Sequence, residues 1–93
     1  MTDYEVFKRM FFLTIRKARR KEQEILLRHF GFGESLRTIA RKDKISHQGV
    51  AHRIKVALKY ADVSTTLLRC IGIHWQEMRI YGNHFHHKGT CQR

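Results

Sequence analysis

Residues 34–60 read ESLRTIARKDKISHQGVAHRIKVALKY, a pattern typical of two helices joined by a tight turn. Ser35 is a suitable N-cap for a short first helix, because its hydroxyl can accept a backbone N–H that the helix leaves free. Leu36, Ile39 and Ala40 then fall at i, i+3 and i+4 and share one buried face. The small Ala40 suits the point at which two such helices cross closely.

The second helix of this stretch has its own start signal. Ser46 can cap it, and Ile45 can pack onto Val50 at the fourth helical position. Its apolar face continues through Val50, Ile54, Ala57, Leu58 and Ala61. Three charged residues at positions 42–44 interrupt the apolar pattern between the two helices. The stretch therefore predicts a helix-turn-helix over residues 35–60.

Five residues on the first turns of the second helix point away from the predicted core. They are His47, Gln48, Ala51, His52 and Lys55. A recognition helix presents such a face to the major groove of DNA. The alternative is a helical hairpin with a solvated polar face, because helix pairs are common in proteins of many functions.

Composition favours a partner that is a nucleic acid. The 93 residues include 19 Lys and Arg against 8 Asp and Glu, a formal charge of +11, together with seven His. Charge of that size repels itself in a compact chain and is offset by an anionic partner. Hydrophobic residues at 42% and aromatic residues at 11% are enough for a packed core, so the charge does not indicate disorder.

The same composition predicts one small all-α domain in the cytoplasm. We find no run of 18 apolar residues and no signal peptide, since Lys8 and Arg9 interrupt the apolar stretch near the start. Cys70 and Cys91 do not make a disulfide framework and are expected to be free thiols. The absence of Pro allows long helices, about five in all, over residues 1–82. Residues 83–93 have no apolar period and are predicted to form a flexible, basic, His-rich tail.

Two apolar segments precede the predicted motif. A first helix is expected between Thr2 and about Arg19, with Glu5 placed for a capping box. Its apolar stripe is read as Val6, Met10, Leu13 and Lys17, widened by Phe7, Phe11, Phe12 and Ile15, which predicts burial on much of its circumference. Five cations follow in residues 16–21. The helix dipole accounts for about two of them, and the others indicate phosphate contacts.

Residues 21–30 form a second amphipathic segment, closed by Gly31 and Gly33. We expect Ile25, Leu26 and Phe30 to point inward, and Glu22, Gln23 and Arg28 to point outward. After the motif, Asp62 and Ser64 offer caps for a further helix, with an apolar stripe of Leu67, Ile71, Trp75 and Met78. Gly72 lowers the helix propensity of that segment, and residues 74–81 as an extended segment remain the alternative.

Residues 21–60 resemble region 4 of the sigma-70 family of transcription factors. The match rests on KEQEILLRHF, then SLRTIA, then the pair of Ile45 and Ser46, followed by Val50, Arg53 and Ala57. The resemblance implies a recognition helix that binds the −35 promoter element, and contact of the same domain with the β-flap of bacterial RNA polymerase. Nothing before residue 21 resembles the region that melts DNA. The chain is therefore similar to short stand-alone regulators of phages and other mobile elements.

Two positions in the turn depart from the family pattern. Asp43 stands where the family usually has Leu, and Lys44 where it usually has Gly. Lys44 can adopt a left-handed backbone conformation at a cost of about 1 kcal/mol. Asp43 cannot replace an apolar core residue, so the turn is expected to be rebuilt or solvent-exposed.

Roles at the predicted DNA surface follow from side-chain chemistry. Gln48 can pair with adenine N6 and N7, while His47 and His52 can donate to guanine N7 or to phosphate. The solvated alternative stays open for each of them. Residues expected to hold phosphates flank the helix: Ser35, Arg37, Thr38, Lys42, Lys44, Ser46 and Arg53.

A metal site in the tail is the weaker reading of its His and Cys residues. His84, His86, His87 and Cys91, with Cys70 and His74 upstream, lack the tight repeated spacing of structural zinc sites. We expect these residues to add to the basic surface instead, with no metal or other cofactor. No nucleophile set, phosphate loop or paired carboxylates appear, so the sequence does not predict an enzyme.

Three classes of function remain. The leading prediction is a sequence-specific DNA-binding transcription regulator that acts with RNA polymerase at promoters, bound to double-stranded DNA in the nucleoid of a bacterial host and not to a membrane. One alternative is a polymerase-binding inhibitor or antiterminator that does not read DNA. The other is an RNA-binding protein whose basic face tracks the backbone.

Overall fold

A computed structural model of the protein describes residues 2–81, with the side chains described up to residue 79. Its five α-helices are α1 (Asp3–Ile15), α2 (Arg20–Leu26), α3 (Leu36–Asp43), α4 (His47–Ala61) and α5 (Thr65–Tyr81), and a π-helical turn, Leu27–Gly31, continues α2. The all-α prediction is confirmed. The predicted tail at residues 83–93 lies outside the described residues.

Hydroxyl side chains cap four of the helices, each by accepting a backbone N–H from the first turn. The pairs, with the accepting oxygen first, are Thr2 with Glu5 at 3.2 Å, Ser35 with Thr38 at 3.1 Å, Ser46 with Gly49 at 2.9 Å and Ser64 with Leu67 at 3.1 Å. All four caps were predicted. Each satisfies a donor that the helix itself leaves free and stabilises the fold by about 1 kcal/mol.

All five helices contribute to one hydrophobic core. Its fully buried large side chains are Phe11, Ile15, Leu26, Ile39, Val50 and Leu68. Trp75 joins α5 to α1, because its ring lies 5.5 Å from the ring of Phe11 and 6.2 Å from that of Tyr4. The inward face predicted for α4 is present, with Val50, Ile54 and Ala57 buried. The two helices of the motif therefore rest on a scaffold made of α1, α2 and α5.

The first helix differs from its prediction in length and in its buried face. It ends at Ile15 and not near Arg19. The expected stripe is largely exposed, at 38% for Val6, 40% for Met10 and 56% for Leu13. The prediction that α1 is buried on much of its circumference was therefore wrong. Two apolar stripes compete on this helix, and α5 covers the one that carries Phe11 and Ile15.

The last helix is helical through Tyr81, so the extended alternative for residues 74–81 was wrong. Its buried stripe begins at Leu68, which is fully buried, whereas Leu67 is 51% exposed. Gly72 has a packing role that the sequence did not reveal. A Cβ atom there would lie 2.1 Å from the carbonyl oxygen of Phe30. The absence of a side chain thus allows α5 to approach the π-helical turn.

The π-helical turn offers backbone carbonyls to donors on α5. Gln76 Nε2 donates to the carbonyl oxygen of Phe30 at 2.8 Å, and the Arg79 guanidinium donates to that of Gly31. The Arg79 guanidinium also lies 4.6 Å from the ring centre of Trp75 and 5.0 Å from that of Phe32. These contacts join the π-helical turn, which precedes the motif, to the last helix.

The inward prediction for Ile25, Leu26 and Phe30 is confirmed, but the outward prediction for Glu22 was wrong. Glu22 is 8% exposed and accepts two hydrogen bonds from Arg19, at 3.0 and 2.7 Å. These bonds hold the pKa of the Glu22 carboxyl below its ordinary value. A local partner three residues away therefore makes burial of this carboxylate possible.

Candidate nucleic-acid interface

The turn between α3 and α4 uses a left-handed residue. Lys44 has φ 56° and ψ 44°, the conformation expected for it from the sequence. The Ile45 N–H then donates to the carbonyl oxygen of Ala40 at 3.1 Å, which closes the end of α3. Ser46 begins α4 two residues later. The turn is thus tight although it has no glycine.

Asp43 takes part in an ionic cluster that replaces the apolar contact of a typical turn. The Arg28 guanidinium donates to both Asp43 carboxylate oxygens, at 3.1 and 3.0 Å. Its Nε donates to Glu34 at 3.2 Å, and Lys42 Nζ lies 3.4 Å from the same carboxylate. Arg53 Nη1 is 4.0 Å from Asp43 Oδ2. We call these five residues the Arg28 cluster.

The Arg28 cluster fixes α3 at both ends. Glu34 precedes α3 and Asp43 is its last residue, so one guanidinium from the π-helical turn holds the entry and the exit. The Arg28 side chain is only 22% exposed, which corrects the outward orientation expected for it. Hydrogen bonding to Asp43 raises the pKa of Arg28 above its ordinary value. Asp43 is therefore half-buried and stabilised by an ion pair, and solvent exposure does not account for its place in the turn.

All five predicted base-reading residues are exposed on α4. His47, Ala51 and Lys55 follow at i, i+4 and i+8 and lie along one side, with Gln48 and His52 beside them. An α-helix with its side chains is about 10–12 Å in diameter. The major groove of B-DNA is about 12 Å wide. A helix therefore fits the groove, and this face of α4 carries donor and acceptor groups that could contact bases.

The predicted phosphate ligands divide into free and engaged groups. Ser35 and Ser46 are helix caps, and the Ser35 hydroxyl also donates to Thr38 Oγ1 at 2.9 Å. Lys42 and Arg53 lie beside acidic residues of the Arg28 cluster. Arg37 and Lys44 are exposed, and within residues 2–79 neither forms an ion pair.

This surface also has cations nearby that were not predicted from the sequence to belong to it. Arg41 on α3 and Lys59 on α4 are exposed, and neither forms an ion pair within the described part of the chain. Four of the acidic residues are neutralised by cations: Glu22, Glu34, Asp43 and Asp62. The excess positive charge is therefore left on the surface. Helical periodicity alone could have assigned Arg41 to this surface, since it lies one helical turn after Arg37.

A groove of about 430 Å³ lies between α2 and α4. Ile25 and Val56 give it apolar walls, and His52 and Arg53 connect it to the exposed face of α4. Acidic residues line it as well, at Glu22, Glu24 and Asp43. Because acidic and basic side chains both line the groove, it does not favour an anionic ligand. We therefore treat the groove as the border of the α4 surface and not as a separate binding site.

The described residues contain no group of three or more side chains arranged to hold a metal ion. His74 Nδ1 lies 2.9 Å from the carbonyl oxygen of Cys70 and 3.9 Å from its Sγ, a contact within one helix turn. The weak metal candidates His84, His86, His87 and Cys91 lie outside the described residues.

None of the helices in residues 2–81 is long and apolar enough to cross a membrane. No protein-family model, curated protein or solved structure matches the chain.

Proposed function

We propose that the protein is a sequence-specific DNA-binding transcription regulator that places α4 in the major groove. One observation carries this proposal. A helix-turn-helix held by the Arg28 cluster presents an exposed helix face with amide, imidazole and ammonium groups, and unpaired cations lie beside it. Recognition helices of this motif contact base edges with the residues of their first turns.

Each exposed side chain of that face has a role that its chemistry allows. Gln48 donates to and accepts from an adenine edge, and Lys55 donates to guanine or to a phosphate. Ala51 is small and apolar, so it lets the helix approach the bases and contact a thymine methyl group. His47, in the same row as Ala51 and Lys55, and His52 beside that row donate to guanine N7 or to phosphate. Together these residues supply sequence selectivity.

Phosphate contacts supply most of the affinity in this proposal. Arg37, Arg41 and Lys44 are the exposed cations of α3 and the turn that lie outside any ion pair within residues 2–79. Cations that neutralise phosphates release condensed counterions, which makes binding steeply salt-dependent. Three such contacts would give log K a slope of about −2.7 against log salt.

The experiment that tests this function begins with selection of duplexes from a random pool by the purified protein. Binding constants are then measured by fluorescence anisotropy for a selected duplex, a scrambled duplex and single-stranded RNA of the same length, from low to moderate salt. We expect the selected duplex to bind most tightly and all affinities to fall with salt. Equal affinity for the two duplexes, or tighter binding of RNA, would contradict sequence-specific DNA recognition.

A second candidate function is binding of RNA polymerase without DNA reading. The exposed stripe of Val6, Met10 and Leu13 on α1 favours it, because it is a continuous apolar surface at i, i+4 and i+7. The large apolar side chains of Phe11, Trp75 and Met78 are buried and belong to the core, so they do not form an exposed docking patch. Polymerase binding through α1 would also be compatible with DNA binding through α4, since the two helices present different surfaces.

A further inference from the structure

The segment between α1 and α2 packs against the C-terminal half of α4. We call residues 16–21, which are this segment and the first two residues of α2, the junction. Its Arg19 guanidinium lies 4.6 Å from the ring centre of Tyr60. Lys17 Nζ lies 3.8 Å from Asp62 Oδ2, at the residue that ends α4. The junction therefore sits at the opposite end of α4 from the turn that joins it to α3.

Internal contacts use only part of the positive charge of the junction. Arg19 is bound to Glu22 and Lys17 is close to Asp62. Arg16, Arg20 and Lys21 are exposed, and within residues 2–79 none of them forms an ion pair. Lys59 on the neighbouring part of α4 is in the same state. Glu22 and Glu24 line the groove together with Lys21, and they offset the charge of Lys21 in part.

The helix dipole does not explain these cations once the helix ends are known. Cations stabilise the C-terminal end of a helix and destabilise the N-terminal end. Because α1 ends at Ile15, Arg20 and Lys21 are the first two residues of α2 and not the last of α1. They therefore occupy the unfavourable end of a helix, so the helix dipole gives no reason for their charge.

Docking of α4 by its first turns would bring the junction near the DNA backbone. From His47 to Lys59 the helix rises about 18 Å. A recognition helix contacts base edges with the residues of its first turns. The C-terminal half of α4 is then farther from the base edges and nearer to the phosphates that border the groove. The α3 cations meet the backbone at the other end of the helix.

We propose that Arg16, Arg20, Lys21 and Lys59 form a second phosphate-binding surface, which holds the DNA strand on the far side of the groove from α3. This inference rests on the proposed function and adds to it the contact that fixes the tilt of α4. Both strands are then bound, one at each end of the recognition helix. The surface carries no sequence information, because it contacts only the backbone.

The test compares two double variants of equal charge. Arg20→Gln/Lys21→Gln removes two junction cations, and Lys8→Gln/Arg9→Gln removes two exposed cations of α1 that lack ion pairs within residues 2–79. We measure log K against log salt on the selected and the scrambled duplex. The junction variant is expected to lose about 1.8 from the magnitude of the slope on both duplexes, whereas the control keeps the wild-type slope. The ratio of affinities for the two duplexes should not change.

A junction variant with the same slope as the control variant would overturn this inference and leave the proposed function standing. A wild type that binds no duplex would instead refute the proposed function itself. Circular dichroism checks that the junction variant is folded. We expect folding to be retained, because Arg20→Gln and Lys21→Gln both remove cations from the N-terminus of α2. Lys59→Gln on α4 provides a second measurement, with an expected loss of about 0.9 from the slope, and an unchanged slope would count against the surface.

Discussion

Gln48 is the residue whose replacement best separates base reading from backbone binding. Its amide is exposed on the second position of α4 and can pair with one base edge. We expect Gln48→Ala to weaken binding to a selected duplex by about 1–3 kcal/mol and to leave the scrambled duplex nearly unaffected. Lys44→Gln is the matched comparison, since a phosphate ligand should weaken both duplexes similarly. Anisotropy titrations on the two duplexes decide the outcome, and equal losses for Gln48→Ala would show that α4 does not read bases.

Gly72 is the residue at which helix propensity and packing make opposite predictions. On propensity, Gly72→Ala would stabilise α5 by about 1 kcal/mol. The structure predicts a loss, because the new Cβ would lie 2.1 Å from the Phe30 carbonyl oxygen. Forcing α5 away from the π-helical turn should cost about 1–3 kcal/mol or more. Urea unfolding measures this change. The exposed Ile73→Ala on the same helix serves as control, and a Gly72→Ala variant as stable as wild type would contradict the close approach.

At the scale of elements, the Arg28 cluster determines how α3 is attached. Removing Arg28 alone leaves two half-buried carboxylates without their main partner, so Arg28→Met is expected to cost about 1–3 kcal/mol. Combining it with Asp43→Leu replaces the ion pair by an apolar contact, and the double variant should be more stable than the sum of the single changes predicts. The expected coupling is about 0.5–3 kcal/mol by urea unfolding. Strictly additive effects would mean that Arg28 and Asp43 do not act as a pair.

The exposed stripe of α1 carries the prediction that concerns the whole molecule. A regulator that acts with RNA polymerase needs a second surface, and Met10 and Leu13 lie on a helix other than the motif helices. Met10→Lys/Leu13→Lys should abolish capture of purified bacterial RNA polymerase without lowering thermal stability, because both residues are already exposed. Polymerase capture on beads that carry the protein measures the effect.

The control for this experiment is the exposed Leu67→Lys on α5, which changes an apolar residue outside the stripe. It should retain polymerase. Undiminished capture by a folded Met10→Lys/Leu13→Lys variant would exclude the α1 stripe as the docking surface. Loss of duplex binding by the same variant would show that the two surfaces are not independent.

The local features of this protein were readable from its sequence, because each depends on residues only a few positions apart. The caps at Thr2, Ser35, Ser46 and Ser64 join side chains to N–H groups three residues later. The inward face of α4 follows from the helical period, and its opposite face is exposed for the same reason. The left-handed conformation of Lys44 was expected because Gly usually stands at this position in the family that the motif resembles.

Contacts between distant segments had to be seen in the tertiary structure. The stripe of α1 that is buried depends on which side α5 covers, and both stripes are apolar enough to qualify. Asp43 is stabilised by Arg28, fifteen positions earlier, and Gly72 is required by a carbonyl of the π-helical turn. The sequence does not show that the junction lies beside α4. The contact of the Arg19 guanidinium with the Tyr60 ring places it at the far end of that helix. The spacing of apolar residues along the sequence predicts which faces of a helix are apolar. Which of these faces is buried depends on tertiary packing, because burial requires a partner surface.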